Sequence, residues 1–264
     1  MYDFAYQKPG SLADAVKVLS GDSEAKALAG GQTLIPVLKQ RLNKPTTVVD
    51  LSRLGLSGIT VSGGSITIGA MTRHADIADN ADIKAKIPGL AYQASIIGDE
   101  AVRHRGTMGG SLANNDPAAC YPSALLALGG TIKTDRRTIA ADDFFQGMFT
   151  TALEQGEIIT SIELPIPEKS AYEKFRNPAS RYAIVGVFVA KFAAGVRLAI
   201  TGASQGGVFR HTAMEKALSA NFSPDAIAGI VTSADGLNGD IHASAEYRAH
   251  LIGVISKRAV AKAA

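Results

Sequence analysis

Two short segments pair adjacent glycines with small hydroxyl residues, a combination suited to holding a diphosphate. The first is Ala29-Gly30-Gly31-Gln32-Thr33-Leu34; the second is Thr107-Met108-Gly109-Gly110-Ser111, within the stretch Val102 to Pro122. A pyrophosphate needs close backbone approach and several N–H donors, and two such loops facing each other would supply both. Neither segment is a GxGxxG fingerprint, and neither leads into the Gly-Lys-Ser/Thr of a P-loop. Alone, each glycine pair reads as a tight turn; their duplication favours one ligand held between two lobes.

Other chemistry is sparse. The five histidines, His74, His104, His211, His242 and His250, form no HExxH or comparable pair, so no metal site is expected. Arg103-His104-Arg105 could bind phosphate, but solvated strand charges or contacts to a partner subunit are the favoured reading. Lys174 and Arg176 precede an aromatic strand, and Arg176 is the candidate to reach the ligand. No Ser/His/Asp constellation can be assembled. The single cysteine, Cys120, excludes an internal disulfide and an iron–sulfur cluster held by this chain's own thiolates. With 27 basic residues scattered among 24 acidic ones, the net charge of +3 excludes the basic stripe of a nucleic-acid binder. The longest apolar run, Ala183 to Ala190, is far short of a membrane span, and the N-terminus has no apolar signal core. A soluble, cytoplasmic protein is expected.

The elements that must position the glycine segments follow from periodicity. Residues 3–8 read as a strand, Ser11 to Gly21 as a capped helix with an apolar face of Leu12, Ala15, Val16 and Leu19, and Lys26 to Ala29 as a strand entering the first glycine segment. A helix is expected over Leu34 to Leu42 and strands over Thr46 to Leu51 and Ser65 to Met71, with hairpin turns over Gly55 to Ser65. Thr72 is expected to cap a helix through Asn80, and Ile83 to Ile97 reads as helical with a break at Pro88-Gly89. Asp116-Pro117 carries the signature of a helix start, leading into an apolar helix to Leu128 that Gly129-Gly130 ends. Strands at Thr131 to Lys133 and Gln155 to Leu164 flank a short helix begun by Asp142 or Asp143. From Tyr172 the chain turns to strands (Tyr172 to Arg176, Tyr182 to Phe192, Gly195 to Thr201) and then helices at Thr212 to Ser219, Pro224 to Ala234 and Ala243 to the end. That order is α+β.

Three segments carry a family resemblance: AGGQTL at 29–34, RGTMGGSLANNDPAA at 105–119 and GEIITSIELP at 156–165. Together they resemble the FAD-binding medium subunits of the molybdenum hydroxylases, the carbon monoxide, aldehyde and xanthine dehydrogenase type, and the resemblance runs on through SRYAIVGV and AEYRAHL. It implies an α+β fold with FAD-binding lobes at 1–55 and 56–168 and a C-terminal domain at 169–264, a three-stranded antiparallel sheet with helices. It places the pyrophosphate and adenosine against Ala29 to Leu34 and against Thr107, Gly109, Gly110 and Ser111. Ile97 and Ile159 match positions that contact the flavin nucleotide, and Tyr182 matches an aromatic near the isoalloxazine, although a strand-core tyrosine explains it as well. Two departures stand out. Cys120 replaces an aspartate that accepts from ribose, a contact expected to be lost or taken by water or by Asn115 or Asp116, and Arg181 replaces an acid before the flavin-side aromatic.

The implied function is electron transfer within a heterotrimer, as a dimer of heterotrimers. A large subunit would carry the molybdenum cofactor and a small one the 2Fe–2S clusters, and FAD on this chain would pass electrons to NAD, a quinone or oxygen. The alternatives are a self-contained FAD-dependent oxidoreductase and an assembly subunit that has lost FAD.

Overall fold

Three larger β-sheets follow one another along the chain, with a two-stranded sheet beside the second, and a cavity is lined by residues of all three. A computed structural model describes residues 1–263. The first sheet is parallel, in the order β1 (Ala5–Gln7), β3 (Thr47–Asp50), β2 (Lys26–Leu28), and its crossovers are α1 (Leu12–Gly21) and α2 (Leu34–Lys39). The α1 start is the expected one: Ser11 has extended backbone and its hydroxyl accepts from Asp14 N–H at 3.2 Å. Ala15 and Leu19 are buried, with Leu12 and Val16 packed beside them, so the apolar stripe read from spacing is the buried face.

The second sheet is antiparallel. Strands β4 (Ile59–Ser62) and β5 (Ser65–Gly69) form a hairpin, after which come α3 (His74–Asp79), α4 (Ala81–Lys86), α5 (Pro88–Ser95), α6 (Glu100–Arg103), α7 (Met108–Asn114) and α8 (Tyr121–Leu128). Then follow β6 (Thr131–Thr134), β7 (Thr138–Ala140), α9 (Ala141–Phe144), the small pair β8 (Phe145–Gly147) and β9 (Thr150–Thr151), and β10 (Ile159–Pro165). The sheet order is β4-β5-β10-β6-β7. Gly63 and Gly64, with φ of 58° and 87°, make the two-residue turn of the hairpin, so part of the segment expected as turns is strand.

The third sheet has the order β11 (Lys169–Arg176), β12 (Ala183–Phe192), β13 (Gly195–Thr201), β14 (Phe209–Arg210). It therefore has four strands rather than the expected three, the fourth only two residues long. Helices α10 (Thr212–Ala220) and α11 (Ala245–Ala263) cover one face, where Val185, Val187 and Val189 point, while Phe188 and Ala190 join the core containing α8. Both faces of β12 are covered, which is why Ala183 to Ala190 reads as an unbroken apolar run. Among the described residues no helix is long and apolar enough to cross a membrane.

Several expected boundaries move for identifiable reasons. Arg73, not Thr72, stands at the α3 N-cap; the Thr72 hydroxyl instead donates to Gly58 O at 3.1 Å and accepts from Gly58 N–H at 3.0 Å, tying down the β4 hairpin. Asp116-Pro117 does not begin α8. Asp116 Oδ1 accepts from Ala118 N–H at 2.8 Å in a local turn, and the carbonyls of Pro117 and Ala119 accept from the Thr201 hydroxyl at 3.0 and 2.7 Å. Acceptors taken by the third sheet cannot serve a helix there, and α8 starts at Tyr121 with Pro122 in its first turn. Of the helix expected over Pro224 to Ala234 only a 3₁₀ turn, Pro224–Ile227, forms. Helix α7 forms where the second glycine segment is expected as a loop, and the short α6 precedes it. Ala264, the end of the last expected helix, lies outside the described residues.

Candidate functional site

A cavity of about 690 Å³ is lined by all three sheets' connections, within the range of small-molecule and cofactor sites. Ala29, Gly30, Gly31, Gln32, Thr33 and Leu34 line it from the first sheet; Ile97, Thr107, Gly109, Gly110, Ser111, Cys120 and Ile159 from the second; Tyr182 from the third. Asn115 does not. It ends α7 in the left-handed conformation (φ 42°) and its amide donates to Gly147 O and Thr150 O, both at 2.8 Å, so its side chain clamps the β8–β9 hairpin instead of facing the cavity. Asp116, its neighbour, does line the cavity.

The two glycine segments lie against each other. A Cβ on Gly30 would stand 2.1 Å from the Arg105 carbonyl oxygen, and one on Gly110 would stand 3.3 Å from Ala29 Cβ, so absence of side chains is what permits the approach. Their backbone donors, however, are used differently. In the second segment Met108 N–H donates to Thr72 O (3.1 Å), Gly109 N–H to Ala70 O (2.9 Å), Gly110 N–H to the Thr107 hydroxyl (3.2 Å) and Ser111 N–H to Thr107 O (3.1 Å). The expectation that both loops present free amides is corrected: these four are spent on holding α7 in place. In the first segment, among the described residues, the N–H groups of Gly30, Gly31, Gln32, Thr33 and Leu34 have no protein acceptor. Five consecutive donors without a protein acceptor, at the start of α2 and on a cavity wall, are open to water or to a ligand's oxygens, and a diphosphate has such oxygens.

One charged group of the wall, Lys174, lies against Cys120. The Lys174 ammonium is buried, donating to Ile96 O and Arg181 O at 2.9 Å each and lying 3.6 Å from Cys120 Sγ. No carboxylate pairs with it among the described residues. Its neighbour Arg176 is exposed and outside the lining, because a β-bulge between Phe175 and Arg176 turns it away. The expectation for Arg176 thus passes to Lys174, which shares a sheet face with buried Tyr172. Alternation along β11 is the signal that could have found it.

Burial raises the Asp116 carboxyl above the usual carboxylate range. It also lowers the His74 imidazole to about 4, with Arg103 adding to the effect, so His74 lines the cavity as a neutral ring. The Arg137 guanidinium and its hydrogen bonds hold Glu157 down at about 2. Tyr182 is 48% exposed at the cavity rim, ahead of β12, so it is not a strand-core residue. Burial and the Asp116 charge raise its phenol. Arg103 donates to Ile97 O and Gly98 O, whereas His104 and Arg105 face solvent. Among the described residues no cluster could hold a metal ion.

Residues 2–167 match the family described as the FAD binding domain in molybdopterin dehydrogenase. The chain is 35% identical to the glyceraldehyde dehydrogenase medium chain of Sulfolobus acidocaldarius, over 97% of each chain. It is 36% identical to the nicotine 6-hydroxylase medium subunit of Paenarthrobacter nicotinovorans, over 98% of this chain and 96% of that one. A chain of the reconstituted CO dehydrogenase from Oligotropha carboxidovorans superimposes with a TM-score of 0.91 at 32% identity, over 99% of this chain and 98% of that one.

Proposed function

The chain belongs to the family of the FAD-binding domain of molybdopterin dehydrogenases, as an FAD-binding medium subunit of molybdenum hydroxylase type, and from that premise we propose that its cavity holds FAD for electron transfer within a heterotrimer. The observation that carries the reading is the row of five unused backbone donors from Gly30 to Leu34 at the wall of a cavity of about 690 Å³. These amides, with the Thr33 and Ser111 hydroxyls, would bind the pyrophosphate. Ile97, Ile159 and Tyr182 would flank the flavin nucleotide, and Cys120 would lie near the ribityl or ribose hydroxyls. Residues 1–55 and 56–168 would be the gripping lobes, and 169–264 would close the flavin end.

When bound, FAD supplies a carrier that takes electrons singly and releases them in pairs. This chain's residues bind and orient it and exclude water from the inner wall. The remaining centres would sit on partners: the molybdenum cofactor on a large subunit and 2Fe–2S clusters on a small one, consistent with a lone cysteine here. Electrons would leave for an external acceptor, NAD, a quinone or oxygen, in a dimer of heterotrimers. The test is direct. The purified chain is expected to carry extractable FAD with flavin absorbance and to co-purify with a cysteine-rich small subunit and a large molybdenum-containing one. A chain that binds no FAD under any reconstitution overturns the reading.

A further inference from the structure

We propose that Arg103 and Arg181, which converge on the carbonyl of the cavity-lining Gly98, form a phosphate-binding subsite for a soluble phosphorylated electron acceptor; the acceptor rests on the FAD reading above. Arg103 belongs to α6 and Arg181 to the turn between β11 and β12, yet each donates Nη1 to the Gly98 carbonyl oxygen at 3.2 Å. The two guanidiniums are thereby held within two hydrogen-bond lengths of each other. Among the described residues neither forms an ion pair, and carbonyls occupy only a minority of their N–H donors. Like charges brought together without a counter-ion repel, and an anion between them removes the conflict. Two planar forks suit the tetrahedral oxygens of a phosphate.

The arrangement is built into the backbone. Arg181 has φ of 64°, a left-handed conformation that costs a non-glycine residue energy, and Gly98 has φ of 52°. Around Arg181 the turn is tied closed. Its N–H donates to Asn177 O at 2.9 Å, its carbonyl accepts from Lys174 at 2.9 Å, and Asn177 N–H donates to Tyr182 O at 2.8 Å. The acids of Arg103's own helix, Glu100 and its cap Asp99, are exposed, and Asp99 Oδ1 is engaged by Val102 N–H. Tyr182, half-exposed and next in sequence to Arg181, lines the cavity where a ligand arriving from solvent can reach it. The acceptor would gain two electrons and a proton as a hydride equivalent from the reduced flavin, while its phosphates keep all their bonds.

The experiment uses the full FAD-loaded chain and two reductants with the same ring, NADH and the phosphate-free dihydronicotinamide riboside, with anaerobic flavin reduction followed by stopped flow. Arg103→Met and Arg181→Met are each expected to lower the preference for NADH over the riboside about tenfold, the scale of one charge-assisted hydrogen bond, with partial rescue by lysine. Independently of turnover, inorganic phosphate is expected to protect both arginines from phenylglyoxal, read by peptide mass. An unchanged preference, no reaction with NADH, or no protection by phosphate overturns the subsite. Sedimentation with phosphatidic acid vesicles, but not phosphatidylcholine vesicles, that depends on both arginines would reassign the phosphate to a lipid headgroup and overturn the soluble acceptor. Protection by phosphate in a chain that binds no FAD would sink the proposed function while supporting the anion subsite.

Discussion

Replacing Cys120 by aspartate puts a carboxylate beside a cation that the fold buries without one. Lys174 is 9% exposed and Cys120 6%, and the two side chains stand 3.6 Å apart. Burying an unpaired ammonium costs several kcal/mol after relaxation, and the two carbonyls at 2.9 Å offset only part of it. A carboxylate at that position gains roughly 4 kcal/mol of attraction at an effective dielectric of about 20. Its own desolvation removes much of this. Because residue 120 immediately precedes α8, an acid there also gains about 0.3–1 kcal/mol from the helix terminus. The net expectation for Cys120→Asp is about 1–2 kcal/mol of added stability, which raises Tm by roughly 2–4 °C per kcal/mol in a chain of this size.

The assay is a double-mutant cycle in urea with Lys174→Met. The coupling between the two sites is expected at about 1–3 kcal/mol, so the gain from aspartate should largely vanish when Lys174 is replaced. An equal gain in both backgrounds, or destabilisation of the wild-type background, refutes the electrostatic argument. FAD affinity in the same four proteins separates the carboxylate's two possible partners. The family resemblance assigns it to a cofactor hydroxyl, with tightening of about 1 kcal/mol in either background. Capture by Lys174 predicts tightening only when Lys174 is replaced by methionine.

Three further outcomes follow from the site. Gly30→Ala is expected to destabilise the chain by about 1–3 kcal/mol and abolish FAD retention, since the new methyl would stand 2.1 Å from the Arg105 carbonyl oxygen; thermal melts and extracted flavin check both. Asn115→Ala should cost about 2 kcal/mol through the lost hairpin clamp and the left-handed backbone while FAD stoichiometry holds, and loss of FAD from a folded variant would return Asn115 to the site. Glu157 titrates at about 2 in the fold, below its ordinary value of 4.5, so its contribution is present above about pH 4.5 and is lost as pH falls toward 2. Urea titrations across that window should show a decline on the order of 2 kcal/mol that is absent in Glu157→Gln.

How much of this was legible in the sequence depended on where each residue's partners lie. Ser11 and Asp14 are three apart and satisfy each other, so the α1 start could be read locally. Gly129, with φ of 62°, ends α8 by its own backbone freedom and was legible for the same reason. Asp116-Pro117 carries an equally good local signal, but the carbonyls of Pro117 and Ala119 are claimed by Thr201 more than 80 residues away, and no local rule anticipates that. The β-bulge that turns Arg176 outward and leaves Lys174 at the cavity is likewise set by pairing with β12.

The same distinction separates the two glycine segments, which look interchangeable as sequence. Both bring small residues and hydroxyls to one cavity, and every expected site residue but Asn115 and Arg176 arrives there. Their division of labour follows from the turn after β5. The carbonyls of Ala70 and Thr72 lie where they absorb the first amides of α7, and the Thr107 hydroxyl takes the next. Among the described residues no carbonyl accepts from the N–H groups of Gly30 to Leu34. The second segment therefore acts as a rigid wall, its glycines needed for close approach to Ala70 and Ala29, and the first acts as the donor surface. Substitutions that keep the approach but remove hydroxyls should then weaken a diphosphate more at Thr33 than at Thr107, where the oxygen is already engaged as a cap.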